Sequence, residues 1–384
     1  MARVLEVRRD DLRTARIVDA APAPLGDDQV HFAVERFGLT ANNVTYAVLG
    51  DRLRYWTFFP SLEAGWGRVP AWGFARAVET RCAEVPEATR VFGYVPMGGE
   101  FIVTARRVDE RGLHDGSAHR AELPAAYNAY RRAEPGNRDD ATMVLQPLFL
   151  TAVLLARTLA GASRVILSSA SSKTALGTAY LLRRGGNEVA GITASVDFVN
   201  AVGVYDEVVG YEAVEELERR PTTFVDLAGN ARVRAAVHRH LGDALEASIV
   251  VGATHVDAGG QEGTLPGPRP TFFFAPDHLR AGLDAEALDT FRELLEWSAG
   301  WLELERRDGP EAVLTALGRD GRGARAADDR ALTRPLSRRA SVPAPKPRGD
   351  QRAARSRPGP CPSRRRARRA RSRSRRAGAP RSSA

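Results

Sequence analysis

The chain has 384 residues, 43% of them apolar, with 56 basic and 47 acidic side chains and a formal charge of +9. That length allows two domains of ordinary size, each with its own core, and the composition is that of a globular protein rather than a small stapled scaffold. Two cysteines, Cys82 and Cys361, exclude a disulfide framework or a cysteine-rich zinc site within one chain and point to a reducing, cytoplasmic setting.

The N-terminus, MARVLEVRRDDLRTARI, carries charges every few residues and has no apolar core, unlike a secretory signal. From about Gln29 to Val108, short β-rich runs (QVHFAVERFGL, RYWTFF, GFARAVET, TRVFGYV, GEFIVTARRV) are separated by glycine and proline, as in a small β-barrel. The period becomes helical between Tyr127 and Leu159. Within it Met143 to Leu159 is apolar but broken by polar residues, and Ala244 to Ala253 is too short to span a bilayer, so no membrane segment is expected.

From Val165 onward strands and helices alternate: RVILSS, KTALGTAYLLRRG, EVAGITA, SVDFVNAVGV, DEVVGY, EAVEELERR, TTFVDLAG, NARVRAAVHRHLGD and ASIVVGAT. Strands that are apolar throughout and joined by single helices specify a parallel sheet covered on both faces, with ligands beyond the carboxyl ends of the strands. A proline- and glycine-rich crossing follows Thr254 and leads into the helical stretches DAEALDTFRELLEWSAGWLELER and PEAVLTAL.

Beyond Gly318 the apolar periodicity stops. Residues 319–384 hold 22 basic and 4 acidic side chains against 34 and 43 in residues 1–318, so the body is net −9 and the tail +18. Such a tail is expected to be disordered, and two readings of it stand. It is an arm that binds RNA or DNA electrostatically, without aromatic side chains for base stacking, or it is the out-of-frame product of a GC-rich gene. Composition favours the second, as does the lack of a visible closing strand for the barrel, which would leave an unpaired edge. The same tail in independent isolates would count against that preference.

The stretch VILSSASSKTALGTAYLL reads as strand, tight turn and helix. A helix start offers unsatisfied N–H groups and the positive end of the dipole to an anion. Glycines usually build such a turn; here the corresponding spacing falls on Ser169, Ser172 and Ala175. Ser169, Ser171, Ser172 and Thr174 add hydroxyl donors, and Lys173, the only lysine of the body, adds a charge. The alternative is a small-residue turn chosen for close helix–strand packing. A Walker A reading of SSKT lacks both glycines, at Leu167 and Ser172, although Asp226 would be its magnesium partner.

In order and spacing the chain resembles the medium-chain dehydrogenase/reductase superfamily over residues 1–318, in particular its zinc-free quinone-oxidoreductase and enoyl-reductase branch. FGLTANNVTYA falls where that branch has its active-site loop, WGFARAVET and RVFGYVPMGGEFIV where it has barrel strands, and VILSSASSKTALGTAYLL, VGVYDEVVGY and FVDLAGN where it has nucleotide-binding segments. LTANNVTYAVLGD, SSASSKTALG, VGATH and TFFFAP look like a bacterial family known only as a domain of unknown function. The chain departs from the superfamily in its turn glycines and at Thr40 and Asn43, which stand for the loop's Asn and Asp.

The resemblance implies an α/β fold. A GroES-like barrel would occupy residues 1–140, completed by 272–318, and a Rossmann-type doubly wound sheet residues 141–271. It also implies a zinc-independent, NADPH-dependent reduction of enones or quinones. The alternatives are a non-catalytic binding protein on the same scaffold, and nucleic-acid binding through the tail; whether the chain is an enzyme is left open.

If the turn holds a dinucleotide, Thr193 and Ser195 at the end of GITAS lie near the adenosine ribose, with no strand-end carboxylate to repel a 2′-phosphate. They would otherwise cap the next helix. Asn42, Asn43 and Tyr46 suit the polarisation of a carbonyl and the donation of a proton, against the plainer reading of a turn and a packed ring. Tyr55, Trp56, Phe58 and Phe59 are wall or core, and Tyr127, Asn128 and Tyr130 a linking segment. His255, with Asp257, follows the last recognisable strand, where a nicotinamide would rest; no metal ligand set is present. Expected partners are a small-molecule substrate and no membrane, with a homodimer among the options.

Overall fold

A computed structural model describes residues 2–21, 23–61, 63–251, 265–278 and 285–323, all within one compact unit. The N-terminal part pairs β1 (Ala2–Arg8) with β2 (Ala15–Ala20), followed by β3 (Gln29–Gly38) and the helix α1 (Ala41–Val48). Next come β4 (Trp66–Gly67), β5 (Pro70–Thr80), β6 (Arg90–Pro96), β7 (Glu100–Arg106), β8 (Gly112–Asp115) and β9 (Ala129–Arg132). Six of these strands form a closed barrel in the order β3-β5-β6-β9-β8-β7.

Alternate residues fill the barrel interior, among them Val30, Phe32, Ala75, Val91, Val103 and Leu113. β6 is buried along its whole length because its other face is covered too: Phe92 and Phe74 meet Met143, and Tyr94 meets Tyr46 and Tyr127. β3 pairs with β7 from Gln29↔Thr104 to Ala33↔Glu100, so the edge anticipated from a lost closing strand does not exist in the barrel.

Two readings of the sequence need correction here. RYWTFF is not a strand: Arg54 adopts φ +59°, the extended path breaks, and Tyr55–Thr57 make a helical turn that sends Tyr55, Phe58 and Phe59 into the barrel core and Trp56 into a separate cluster with Leu5 and Val7. The helical pattern from Tyr127 is interrupted as well. Ala129–Arg132 is β9, and α2 (Asp139–Thr158) begins only after Pro135 and Gly136. At 20 residues α2 is by length and composition able to cross a bilayer, yet it lies against the helices α3 (Lys173–Arg184) and α6 (Ala285–Ser298) and reaches β3 as a core helix does. A Cβ on Gly38 would fall 2.8 Å from the carbonyl oxygen of Met143, and glycine permits that close approach.

The second part contains β10 (Arg164–Ser168), α3 (Lys173–Arg184), β11 (Glu188–Ile192), α4 (Val196–Val202), β12 (Glu207–Val209), β13 (Thr222–Asp226), α5 (Ala231–Leu241), β14 (Leu245–Val250) and β15 (Thr271–Phe272). Its sheet is parallel in the order β12-β11-β10-β13-β14-β15, doubly wound with the switch between β10 and β13. Side chains of β10 alternate between two cores. Val165 and Leu167 join α2, α3 and α6 (Ala285–Ser298), whereas Ile166 joins Val233, Val237 and Leu241 of α5. EAVEELERR yields only a single turn, Val214–Glu216, since Leu217 is already extended. Thr271–Phe272 extends the parallel sheet, and α7 (Pro310–Gly323) returns to α1 and β2. Residues 324–384 of the basic tail lie outside the described residues.

Candidate functional site

The switch point opens onto a cleft of about 2400 Å³ between barrel and sheet. On the sheet side it is lined by Ser169, Ser171, Ser172, Lys173 and Thr174. Ser169 holds φ +50°, the left-handed conformation that a glycine would adopt without strain. Its carbonyl receives the N–H of Ser172 at 2.8 Å, which closes the turn. Ser172 then caps α3, its Oγ accepting from the Ala175 N–H at 3.2 Å, and Lys173 follows as the first helical residue. The turn sits tightly on β11, where a Cβ at Gly191 would come within 2.7 Å of the Ala170 Cβ.

The left-handed Ser169 carries a cost that glycine would not. Ser169→Gly is expected to stabilise the protein by about 1 kcal/mol, seen as a Tm rise of about 2 °C. A fall in Tm would show that the contact of Ser169 Oγ with Tyr211 Oη, at 3.5 Å, outweighs the strain.

Thr193 does not look onto the cleft. It is fully buried, donates from Oγ1 to Ser171 Oγ at 3.1 Å and accepts the Ser195 N–H at 3.1 Å, so it ties the end of β11 to the turn. Ser195 takes the N-cap place of α4 with no side-chain bond to it, and Ala194 and Phe198 are the residues that face the cleft there. The ribose role drawn for Thr193 and Ser195 is thus replaced by a structural one at Thr193. His255 and Asp257 lie outside the described residues.

Asp226, the Walker-type candidate, is fully buried and engaged from every side. Oδ1 accepts from Ser168 Oγ at 2.8 Å and from the Gly229 N–H at 3.0 Å, and Oδ2 pairs with Arg234 Nη1 at 2.6 Å. Ser168 Oγ in turn accepts the Leu227 N–H at 2.9 Å. This network holds β10, β13 and α5 together at the switch point and leaves no oxygen for magnesium.

On the barrel side the segment TANNVTYAV is a helix rather than a loop. Thr40 caps α1 by accepting the Asn42 N–H at 3.2 Å, and Asn43 Oδ1 reciprocates by accepting the Thr40 N–H at 2.8 Å. The Asn43 amide also donates to the Pro70 carbonyl at 3.0 Å, so both of its ends are committed within a buried site. Asn43 therefore positions α1, and the substrate-polarising role assigned to it is corrected.

Asn42 and Tyr46 do line the cleft. One helical turn apart, they meet: Asn42 Nδ2 donates to Tyr46 Oη at 2.8 Å, and Trp72 Nε1 donates to the same oxygen at 3.2 Å. With both neighbours acting as donors, the phenolic proton points to neither. Burial pushes the Tyr46 phenol well above its ordinary value, and those of Tyr55, Tyr94 and Tyr127 rise for the same reason. Tyr55, Trp72, Phe92 and Tyr127 wall the cleft around it, with Tyr55 Oη and Tyr127 Oη 3.4 Å apart. Trp56 belongs to a different core, Asn128 donates to the Arg120 carbonyl at 3.2 Å, and Tyr130 is barrel filling.

The sequence did not single out Trp72 or Tyr94. They face each other in the β5–β6 ladder, a pairing that depends on register, whereas the i,i+4 spacing of Asn42 and Tyr46 is visible once the Thr40 cap is read.

A family model described as "Protein of unknown function (DUF2855)" matches residues 37–327. No curated protein sequence matches the chain. Among solved structures, CurA of Vibrio vulnificus in complex with NADPH is similar with a TM-score of 0.54 at 11% identity, covering 84% of this chain and 96% of that one. A quinone oxidoreductase of Pseudomonas syringae pv. Tomato DC3000 gives 0.53 at 14% identity, over 87% and 98%. The mitochondrial 2-enoyl thioester reductase Etr1p/Etr2p heterodimer of Candida tropicalis gives 0.52 at 11% identity, over 84% and 97%. At such identities the likeness is one of fold: a GroES-like barrel joined to a Rossmann-type sheet.

Proposed function

The chain belongs to the family described as Protein of unknown function (DUF2855), and from that footing we propose that it is a zinc-independent reductase that uses NADPH to reduce enones or quinones. The observation that carries the reading is the cleft itself, with a hydroxyl-rich helix start on one wall and the Tyr46 phenol on the other.

The residues at the turn suit a dinucleotide diphosphate. The start of the 12-residue α3 opens into the cleft, small side chains form its mouth, and Lys173 stands there with Ser169, Ser171, Ser172 and Thr174. The end of β11 carries no carboxylate to repel a 2′-phosphate, which supports NADPH over NADH. When bound, the nicotinamide supplies the hydride. The protein's own residues hold and orient the acceptor: Tyr55, Trp72, Phe92 and Tyr127 exclude water from a flat substrate, and Tyr46 keeps a proton for the reduced product.

A non-catalytic anion-binding protein on the same scaffold is the second reading, favoured by the strained Ser169 and by the internal use of the Ser172 oxygen. Melting with and without NADPH, together with NADPH oxidation in the presence of 2-cyclohexenone or 1,4-benzoquinone, separates the two. NADPH at a hundred times its Kd is expected to stabilise by about 2.7 kcal/mol. Lys173→Ala is expected to raise Kd about tenfold, as loss of one charge-assisted contact would. An unchanged Tm removes the cofactor and the reductase together; a shift without turnover leaves the binding protein.

A further inference from the structure

Tyr94 is fully buried, and its hydroxyl has no hydrogen-bond partner, a destabilising state that folded proteins usually avoid. Tyr94 favours the charged form of the Tyr46 phenol, whose oxygen already accepts from Asn42 Nδ2 and Trp72 Nε1. The Tyr94 ring meets the Tyr46 ring edge-on at 5.4 Å and the Trp72 ring at 5.4 Å. Its strand is pinned from behind, where Tyr130 Oη donates to the Tyr94 carbonyl at 2.7 Å and accepts from Arg120 Nη1 at 3.1 Å. The titratable groups facing Tyr46 are the Tyr55, Tyr94 and Tyr127 phenols, with the Arg120 guanidinium behind Tyr94.

Three donors around one phenol oxygen mean different things before and after proton loss. While Tyr46 keeps its proton, two donors occupy its oxygen and the third is idle. As a phenolate, the oxygen accepts three bonds, and the idle O–H becomes the one held ready. Donors fixed where charge develops lower a barrier because they need not reorganise.

We propose that Tyr94 is a positioning residue of the reduction, completing with Asn42 and Trp72 a three-donor cradle for the phenolate that Tyr46 becomes when it protonates the reduced acceptor. The inference rests on the reductase reading. Once an enone has taken up a hydride it carries an enolate; the Tyr46 O–H bond breaks, its proton goes to the enolate carbon, and its electron pair stays on the phenol oxygen until solvent returns one proton.

The test has two arms. In the first, 2,3,5-trifluorotyrosine is placed at position 46 and its phenolate absorbance is titrated. Tyr94→Phe is expected to raise the apparent pKa by about one unit, and Trp72→Phe to move it the same way. In the second, Tyr94→Phe lowers kcat for 2-cyclohexenone by about tenfold at unchanged KM, and costs nothing further when Tyr46 is already Phe. Equal losses in both backgrounds, or an unmoved titration in a protein that turns over, overturn the role alone. Absence of turnover in the unaltered protein sinks the reduction and this role with it.

Discussion

Tyr46→Phe is expected to lower kcat for an enone by about 100-fold or more while leaving NADPH affinity unchanged, because it removes the proposed proton donor from the barrel wall and touches nothing at the turn. Phenylalanine keeps the ring contacts, with Tyr55 at 4.7 Å and Tyr94 at 5.4 Å between centroids. The donors Asn42 and Trp72 lose their acceptor, but both are half-buried and water can replace it, so the fold is expected to hold. The loss is smaller for 1,4-benzoquinone, whose reduced form is a stable aromatic anion that takes its proton from solvent. Equal effects on the two acceptors would show that Tyr46 acts through packing alone.

The pH profile gives an independent reading. Burial raises the Tyr46 phenol, so the acid stays protonated through the neutral range, and kcat for the enone is expected to be flat between about pH 6 and 9. Activity would fall only as pH rises through that elevated value. A descending limb near pH 7 would instead assign the proton to a histidine.

The sheet was legible because its signals are local. Runs such as RVILS and TTFVD are buried on both faces around apolar centres, the intervening helices are amphipathic, and a parallel order follows from single-helix connections. The barrel was legible only as a class. β9 hides inside a helical-looking stretch, since four residues carry too little period to be told from their neighbours, and in the parallel sheet the two-residue β15 escapes for the same reason. The site divided along the same line. The serine turn and the Asn42–Tyr46 pair are neighbours in sequence, whereas the Trp72–Tyr94 pairing is set by register between strands. Asn43 misled because an amide in a family-like loop position suggests substrate binding. The T-x-x-N spacing from Thr40 was the better signal, and it marks a helix cap.

Asp226→Ala is expected to cost about 3–5 kcal/mol, the largest stability effect of any single change at the switch point. The carboxylate is fully buried, and its removal takes an ion-pair partner from Arg234, whose side chain is only 11% exposed, and an acceptor from the Ser168 hydroxyl and the Gly229 N–H. Arg234→Leu should cost less. The remaining carboxylate still receives Ser168 Oγ and backbone N–H groups, which replace part of the lost ion pair. Urea unfolding of the two variants checks the order; a larger loss for Arg234→Leu would mean that the backbone donors contribute little. Asp226→Ala also reaches the serine turn, because Ser168 immediately precedes Ser169 and is held by Asp226. A protein that keeps its fold in Asp226→Ala is therefore expected to bind NADPH more weakly, through loss of turn geometry rather than of any contact with the ligand.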